Sequence, residues 1–282
     1  MRFGGSVMGP YAGADAFVAM ARECGFRAVA FPLRYDAPLN EIDALVRALK
    51  DADILIAEVG AWRNNPLSPD KNEKKASLED TKKQLELAEY IGAGCCVNVA
   101  GSHSGLWDGP SVDAFTPAVF NEVVETVQEI IDAVNPKKTG YSLETMPWMI
   151  PNSPDSYVAL IKAINRPAFT GHLDTVNLVN SPERYYNNAA LTQECFDKFG
   201  SSLRCIHVKD IILRTQLTVH LDECLVGQGG YDLGCLLRNA AKLPASASGQ
   251  EIPLLVEHLK TQQEFKISVA YLNKLAGELG LA

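Results

Sequence analysis

The chain lacks the features that mark membrane, secreted and disulfide-rich proteins. No run reaches about 18 apolar residues, so no membrane-spanning helix is expected. Residues 1–20 lack the basic and apolar segments of a secretory signal peptide. The seven cysteines are odd in number, form no CxxC motif and lie partly in apolar runs. They indicate buried, reduced thiols rather than disulfides or a zinc site, which is typical of a cytoplasmic protein.

Positive charge is also scarce. The formal net charge is -8 at pH 7, and the densest basic run, Lys71–Lys75, is interrupted by Asn72 and Glu73. A protein without a basic stripe repels phosphate backbones, so we expect no nucleic-acid partner. A small molecule is the expected ligand, and a homo-oligomer is left open.

Short apolar runs alternate with longer amphipathic segments along the chain. The runs predict eight strands: Arg2–Met8, Ala28–Pro32, Ile54–Val59, Cys95–Ala100, Tyr141–Thr145, Phe169–Asp174, Leu203–Val208 and Pro253–Glu257. Eight strand–helix units of about 35 residues predict an α/β fold, a (β/α)8 TIM barrel formed as one domain over residues 1–282. An open doubly wound sheet is the alternative, but the Gly-rich phosphate turn expected after its first strand does not appear.

Four polar residues lie at the ends of predicted strands five to eight: Glu144, Asp174, His207 and Glu257. In a parallel barrel the carboxyl ends of the strands open on one face, so these side chains should converge there. Any one of these residues alone could equally cap a strand end or form an ion pair instead of binding a metal. Together, three carboxylates and an imidazole suit Mn²⁺, Mg²⁺, Co²⁺ or Zn²⁺, because close carboxylates need a cation to offset their repulsion.

Three segments carry a resemblance to a known family. Cys205–Asp210 and Val226–Asp232 resemble the seventh-strand motif and following loop of the xylose isomerase-like barrel superfamily, and Glu58–Trp62 is similar to its third strand end. The superfamily includes ketose 3-epimerases, inosose dehydratases, hydroxypyruvate isomerases and endonuclease IV. The resemblance implies that Glu144, Asp174, His207 and Glu257 bind a divalent ion, Mn²⁺ first among the candidates. It also implies that Glu144 and Glu257 are catalytic proton carriers.

The implied chemistry is removal of a proton from a carbon next to a carbonyl group. A metal ion stabilises the resulting enediolate, and two carboxylates on opposite faces of the carbon can exchange its proton. Return to the other face gives epimerisation, and transfer to the adjacent carbon gives isomerisation. We therefore predict a sugar isomerase or epimerase. A dehydratase of the inosose or dehydroshikimate type and a non-catalytic sugar-binding barrel are the alternatives.

Candidate substrate contacts surround the predicted site, and they are Trp62, His103, Asn177, Lys209 and Arg214. Asn177 stands where ketose 3-epimerases often carry a histidine, so the identity of the sugar is left open. The same position removes one of the extra histidines that endonuclease IV requires.

Three further features of the sequence predict where side chains or loops lie. His172 is predicted to lie one layer below Asp174, because alternate residues of a strand share a face. His258 is predicted to alternate away from Glu257, toward the helices. The short glycine-rich loop Gly227–Gly230 could approach a ligand closely, for example a phosphate group.

Overall fold

The barrel consists of eight parallel strands. The structure, a computed structural model, describes residues 1–244 and 251–281. In chain order the barrel strands are β1 (Arg2–Gly5), β2 (Ala28–Ala30), β3 (Leu55–Gly60), β4 (Cys95–Asn98), β5 (Gly140–Glu144), β6 (Phe169–Asp174) and β7 (Leu203–Val208), followed by the last one, β10 (Pro253–Val256). The strand β1 pairs with both β2 and β10, which closes the ring and confirms the predicted (β/α)8 fold.

A small antiparallel hairpin, which the strand pattern did not predict, follows β7. Its strands are β8 (Asp210–Arg214) and β9 (His220–Cys224), and they pair only with each other among the described residues. Strand β8 contains the short apolar run Ile211–Leu213, but β9 is mostly polar and exposed, so the pair lacks the regular strand–helix pattern by which the barrel strands are recognised. The hairpin lies at the carboxyl end of β7, on the face where barrel enzymes place their active sites.

Nine α-helices are described, and most connect successive barrel strands. They are α1 (Gly13–Glu23), α2 (Leu39–Asp51), α3 (Lys71–Ile91), α4 (Pro117–Val134), α5 (Pro154–Ile164), α6 (Pro182–Tyr186), α7 (Asn188–Phe199), α8 (Leu233–Ala240) and α9 (Gln262–Glu278). None of the described helices is both long and apolar enough to cross a membrane.

The third helix begins earlier than the sequence predicts. The polar, proline-containing segment 63–72 predicts a loop, and the apolar periodicity of the sequence predicts a helix from about Leu78, but α3 begins at Lys71. The reason is a side-chain cap: the Asp70 carboxylate accepts hydrogen bonds from the backbone N–H groups of Asn72 and Glu73. The first turn is therefore stabilised without apolar residues, which the periodicity could not detect.

Two apolar layers hold the barrel together. Small and medium side chains fill its interior, and these are Ala28, Ala57, Cys95, Val97, Cys205 and Leu255. A larger layer lies between the strands and the helices, with fully buried residues such as Phe17, Tyr157 and Leu272. Because the interior is filled by side chains, space for a ligand lies at the carboxyl ends of the strands.

Candidate metal centre

The four polar strand-end residues converge as the sequence predicts. Glu144, Asp174, His207 and Glu257 each offer a ligand atom, and these atoms lie within 4.8 Å of one another. His207 is central, because its Nδ1 lies 2.9 Å from a carboxylate oxygen of Glu144 and 2.9 Å from one of Glu257. The first three residues are buried and Glu257 is nearly so.

The backbone of the strands fixes the acids in place. The Thr145 hydroxyl, at the end of β5, donates to the backbone carbonyl of Asp174 and accepts from its N–H. This pair of hydrogen bonds between two adjacent strand ends sets the height of Asp174 relative to Glu144. In register, Asp174 lies directly opposite His207 on β7. Strand pairing therefore places Glu144, Asp174 and His207, and Glu257 follows directly after the end of β10.

The charged groups of the cluster shift one another's pKa values. Burial alone would lower the pKa of His207, but the carboxylates of Glu257, Glu58 and Glu144 outweigh it and raise that pKa well above the usual value. Burial and the carboxylates of Glu257 and Glu144 raise the pKa of Asp174 to about 7, although the Lys209 ammonium opposes the shift. Burial and the neighbouring carboxylates both disfavour the ionised form of Asp174, so a cation bound close by would stabilise it.

The donor set fits a divalent ion. Within the described residues, Asp174 Oδ2 and Glu257 Oε1 are buried and accept no hydrogen bond. The Lys209 ammonium lies 2.8 Å from Asp174 Oδ2 and 3.2 Å from Glu257 Oε1, and His258 Nε2 lies 3.7 Å from Glu257 Oε1. Buried carboxylate oxygens without hydrogen bonds are costly unless a cation is present. Three carboxylates and one imidazole nitrogen are ligands that Mn²⁺, Mg²⁺, Co²⁺ and Zn²⁺ accept.

Lys209 and Asn177, both predicted as substrate contacts, lie against the acid cluster. The Lys209 ammonium donates to the Asn177 side-chain oxygen at 2.8 Å. The Asn177 amide in turn donates to the carbonyl of Thr145 at 3.1 Å. Lys209 is 2 % exposed, and the carboxylate of Asp174, ahead of that of Glu257, raises its pKa well above the usual value despite burial. It is therefore a charged ammonium held beside the candidate ligands.

The hairpin adds a carboxylate that the sequence did not suggest. Glu223 on β9 lies 3.0 Å from the Lys209 ammonium and 2.9 Å from His258 Nδ1. The prediction that His258 faces the helices is therefore wrong. His258 has a positive φ of 57°, which interrupts the strand alternation and turns the ring toward the hairpin. A cavity of about 170 Å³ lies here, lined in part by Lys209, Glu223, Glu257, His258 and Lys260.

Trp62 lies over the same end of the barrel, as predicted. Its ring centroid is 6.4 Å from that of His207 and 6.2 Å from that of Trp107. The approach depends on Gly60, because a Cβ atom there would lie 2.1 Å from Trp62 Nε1. An aromatic wall next to the acid cluster is suited to the C–H faces of a sugar ring.

The glycine-rich loop serves the protein rather than a ligand. The buried Asp210 carboxylate, at the start of β8, accepts hydrogen bonds from the backbone N–H groups of Gly227, Gly229 and Tyr231. A Cβ atom at Gly229 would lie 2.1 Å from Asp210 Oδ1, so glycine is required there. The amides expected to approach a ligand are thus occupied by an internal anion.

Two predicted substrate contacts are not brought to the cluster. His103 pairs with Asp113 at 2.7 Å and with Glu122 at 3.0 Å, which joins the loop after β4 to α4. Arg214 lies at the end of β8, about half exposed, and pairs with Asp222 on β9 at 3.0 Å. Each side chain therefore has a structural partner in this conformation.

A second group of buried polar residues lies behind His207. His172 is fully buried, as predicted, and its Nε2 lies 3.0 Å from the carboxylate of Glu58 on β3. The same carboxylate lies 3.2 Å from His207 Nε2. Glu58 lies in the family-like segment Glu58–Trp62 but is not among the site residues that the sequence predicts.

The chain matches the sequence model of a known protein family. A family model described as a xylose isomerase-like TIM barrel matches residues 18–257. Curated protein sequences give no match to the chain.

Solved structures of low sequence identity share the fold. A xylose isomerase-like TIM barrel protein from Mycobacterium smegmatis in complex with magnesium has a TM-score of 0.69 at 18% identity, covering 96% of this chain and 91% of that one. D-Psicose 3-epimerase with D-tagatose from Clostridium cellulolyticum has a TM-score of 0.68 at 13% identity, covering 98% and 99%. Endonuclease IV from Thermus thermophilus has a TM-score of 0.72 at 13% identity, covering 99% and 100%. At these identities the likeness concerns the fold.

Proposed function

Because the chain belongs to the xylose isomerase-like TIM barrel family, we propose that it is a divalent-metal-dependent sugar isomerase or epimerase. The observation that carries the proposal is the convergence of Glu144, Asp174, His207 and Glu257 within 4.8 Å. The ketose 3-epimerase named above has the same fold, and the magnesium complex supports a metal-binding role for the scaffold.

In the proposed reaction, the protein's own side chains hold the ion and move protons. Glu144, Asp174, His207 and Glu257 would hold the ion, and a bound ion would supply Lewis-acid stabilisation of negative charge that develops on the substrate. Glu144 and Glu257 come from β5 and from the end of β10, with β6 and β7 between them. Their carboxylates therefore approach a central substrate from different sides. One takes the proton next to the carbonyl group, and the other returns a proton to the opposite face.

Other residues orient the substrate and exclude water. Asn177 and Lys209 lie where they can donate hydrogen bonds to hydroxyl or carbonyl oxygens beside the ion. Trp62 covers the site with an apolar ring close to His207. We expect Mn²⁺ to serve best, because the oxygen-rich donor set suits hard ions and the imidazole adds affinity for later transition metals.

The charge pattern favours an uncharged sugar over a phosphorylated one. Lys209 is surrounded by the carboxylates of Asp174, Glu223 and Glu257. Arg214 is paired with Asp222. A phosphate group would have to displace the carboxylates of Asp174 and Glu257 from the buried Lys209, at a cost in buried ion pairs.

The test is proton exchange in D₂O. The Mn²⁺-loaded protein is incubated with a panel of ketoses, inososes, sugar acids and ketose phosphates, and products are followed by mass spectrometry and NMR. We expect deuterium at the carbon next to the carbonyl in an uncharged ketose, with the carbon skeleton and oxygen count unchanged. The Glu257→Gln variant is the matched control.

Two results would contradict the proposal. Loss of one water from an inosose or a sugar acid would identify a dehydratase. No deuterium uptake from any panel member, with Mn²⁺ bound, would favour a non-catalytic sugar-binding barrel.

A further inference from the structure

Glu58 is a buried carboxylate that the proposed reaction does not use. It is 2 % exposed and lies on β3, on the far side of His207 from Glu144 and Glu257. Its Oε2 is 3.0 Å from His172 Nε2 and 3.2 Å from His207 Nε2. An ionised acid at this depth is unfavourable unless hydrogen bonds or positive charges compensate for its loss of hydration.

A β-bulge directs Glu58 into the barrel. In the pairing of β2 with β3, Val29 lies opposite Ile56 but Ala30 lies opposite Glu58, so Ala57 is an extra residue. Ala57 packs in the barrel interior, and strict alternation would turn Glu58 outward. The bulge instead points both side chains inward. Bulges that redirect a side chain recur next to active sites.

His207 therefore has a different kind of partner at each ring nitrogen. Nδ1 faces the candidate metal ligands, at 2.9 Å from Glu144 and 2.9 Å from Glu257. Nε2 faces only Glu58 among the carboxylates within 4.0 Å in the described residues. A neutral imidazole carries its proton on one nitrogen and offers its lone pair to a metal at the other.

We propose that Glu58 is a positioning residue that keeps the His207 proton on Nε2 and so directs Nδ1 toward the ion. The inference rests on the proposed metal site and adds to it a residue outside the ligand set. A carboxylate that accepts from the distal N–H of a metal-bound histidine fixes its tautomer and ring orientation and makes it a stronger ligand.

His172 contacts both Glu58 and His207 and fixes their relative positions. Its ring stands edge-on to the His207 ring, with centroids 4.2 Å apart and an interplanar angle of 89°. Its hydrogen bond to Glu58 Oε2 holds the carboxylate against the His207 ring. The three side chains form one buried network, and rotation of the His207 ring would break contacts to both others.

An alternative use of the same residues is a second ion site. Ligand atoms of Glu58, His172, Cys205 and His207 also lie within 4.8 Å of one another. However, both oxygens of the Glu58 carboxylate lie within hydrogen-bond distance of a histidine ring, so they have partners without an ion. We therefore favour the positioning role, and ion stoichiometry decides between the two.

The first test uses the wild-type protein. With ¹⁵N-histidine labelling and saturating Zn²⁺, long-range ¹H–¹⁵N spectra report which ring nitrogen of His207 carries the proton. We expect a protonated Nε2, an unprotonated Nδ1 and one Zn²⁺ per chain. A protonated Nδ1 overturns the inference. Two ions in wild type and one in Cys205→Ser also overturn it, because Glu58 would then be a ligand.

The second test uses Glu58→Gln, with Asp113→Asn as the matched control. Asp113 also pairs with a histidine, His103, but away from the cluster. We expect Glu58→Gln to weaken Mn²⁺ binding about 10- to 100-fold, measured by EPR of free Mn²⁺, and to lose the Nε2 proton signal in the Zn²⁺ form. Asp113→Asn should change neither readout.

The outcomes separate this inference from the proposed function. Mn²⁺ affinity within about twofold of wild type, with the Nε2 proton retained, would refute the role of Glu58 while leaving the metal site intact. Failure of the wild-type protein to bind Mn²⁺ or Zn²⁺ would refute the metal site itself. If Glu58→Gln does not fold, the wild-type spectra still decide the tautomer.

Discussion

At the scale of single residues, Glu144 and Glu257 are predicted to have two tasks, as ligands and as proton carriers. Replacement by glutamine leaves an oxygen for the ion but removes the basic carboxylate. We expect Glu144→Gln and Glu257→Gln to retain measurable Mn²⁺ and to lose at least ~10²-fold in turnover, the low end for general acid–base catalysis. Turnover at saturating Mn²⁺, with bound metal quantified in parallel, is the measurement.

Glu194→Gln is a suitable control for both variants, because Glu194 is partly exposed and pairs only with Lys198 among the described residues. Wild-type turnover in both site variants, with metal bound, would direct the search for the proton carriers to Lys209 and its neighbours.

Lys209 is predicted to compete with the ion. Its ammonium lies 2.8 Å from Asp174 Oδ2 and 3.2 Å from Glu257 Oε1, oxygens that a metal would also need. The ammonium and a divalent ion that shared these carboxylates would repel each other. We therefore expect Lys209→Gln to bind Mn²⁺ about 10-fold more tightly and to turn over substrate more slowly.

Titration of Mn²⁺ by EPR measures this effect, with the exposed Lys50→Gln on α2 as control. Weaker binding in Lys209→Gln would mean that the ammonium organises the carboxylates instead of competing for them.

At the scale of elements, the hairpin β8–β9 depends on one buried anion. The Asp210 carboxylate accepts backbone hydrogen bonds from Ile211, Gly227, Gly229 and Tyr231. Asparagine has only one acceptor oxygen and would turn an N–H₂ group toward these donors. We expect Asp210→Asn to lower the free energy of unfolding by about 2–4 kcal/mol, since buried donors would lose a charged acceptor.

Urea unfolding followed by circular dichroism measures the loss. Asp222→Asn is the matched control, because its carboxylate lies on the same hairpin but is half exposed and pairs with Arg214. That change should remain within about 0.5 kcal/mol of wild type.

The loop after β4 is tied to α4 by a histidine whose charge depends on pH. The carboxylate of Asp113, with help from Glu122, raises the pKa of His103. A group whose pKa is raised on folding stabilises the folded protein fully when the pH is below its unfolded-state pKa. This stabilisation is lost as the pH rises through its folded-state pKa. We expect His103→Gln to destabilise by about 0.5–1 kcal/mol at pH 6 and by less at pH 9.

Unfolding in urea at both pH values measures the difference. The same substitution at His220, an exposed residue of the hairpin, should show no such contrast. An equal loss at pH 6 and pH 9 would mean that His103 contributes by packing instead of by charge.

At the scale of the whole molecule, the fold is similar to that of an endonuclease, but the net charge of this chain argues against a nucleic-acid substrate. The net charge of -8 opposes association with a phosphate backbone. We expect no cleavage of an abasic DNA duplex at physiological salt by the Mn²⁺- or Zn²⁺-loaded protein beyond that of a Glu144→Gln, Glu257→Gln double variant. Specific cleavage above this control would contradict the expectation. The single domain, the oligomeric state and the cytoplasmic location stay predictions from the sequence.

The barrel and the four candidate ligands were predictable from the sequence because both depend on local patterns. Strand runs such as Phe169–Asp174 alternate with amphipathic helices, and parallel strands necessarily open at one face. An acid or histidine at the end of each of four successive strands therefore had to converge. The helix start at Lys71 was missed only because a capping side chain, Asp70, replaced apolar periodicity as its cause.

Only the tertiary structure decided the surroundings of those ligands. Glu58 enters the barrel through a bulge that breaks the two-residue alternation, and His258 turns toward the hairpin through a positive φ. Glu223 reaches Lys209 from β9, a mostly polar strand whose position depends on its pairing with β8. These placements depend on the pairing and packing of segments far apart in the chain, whereas periodicity reports only on neighbours within one strand or helix.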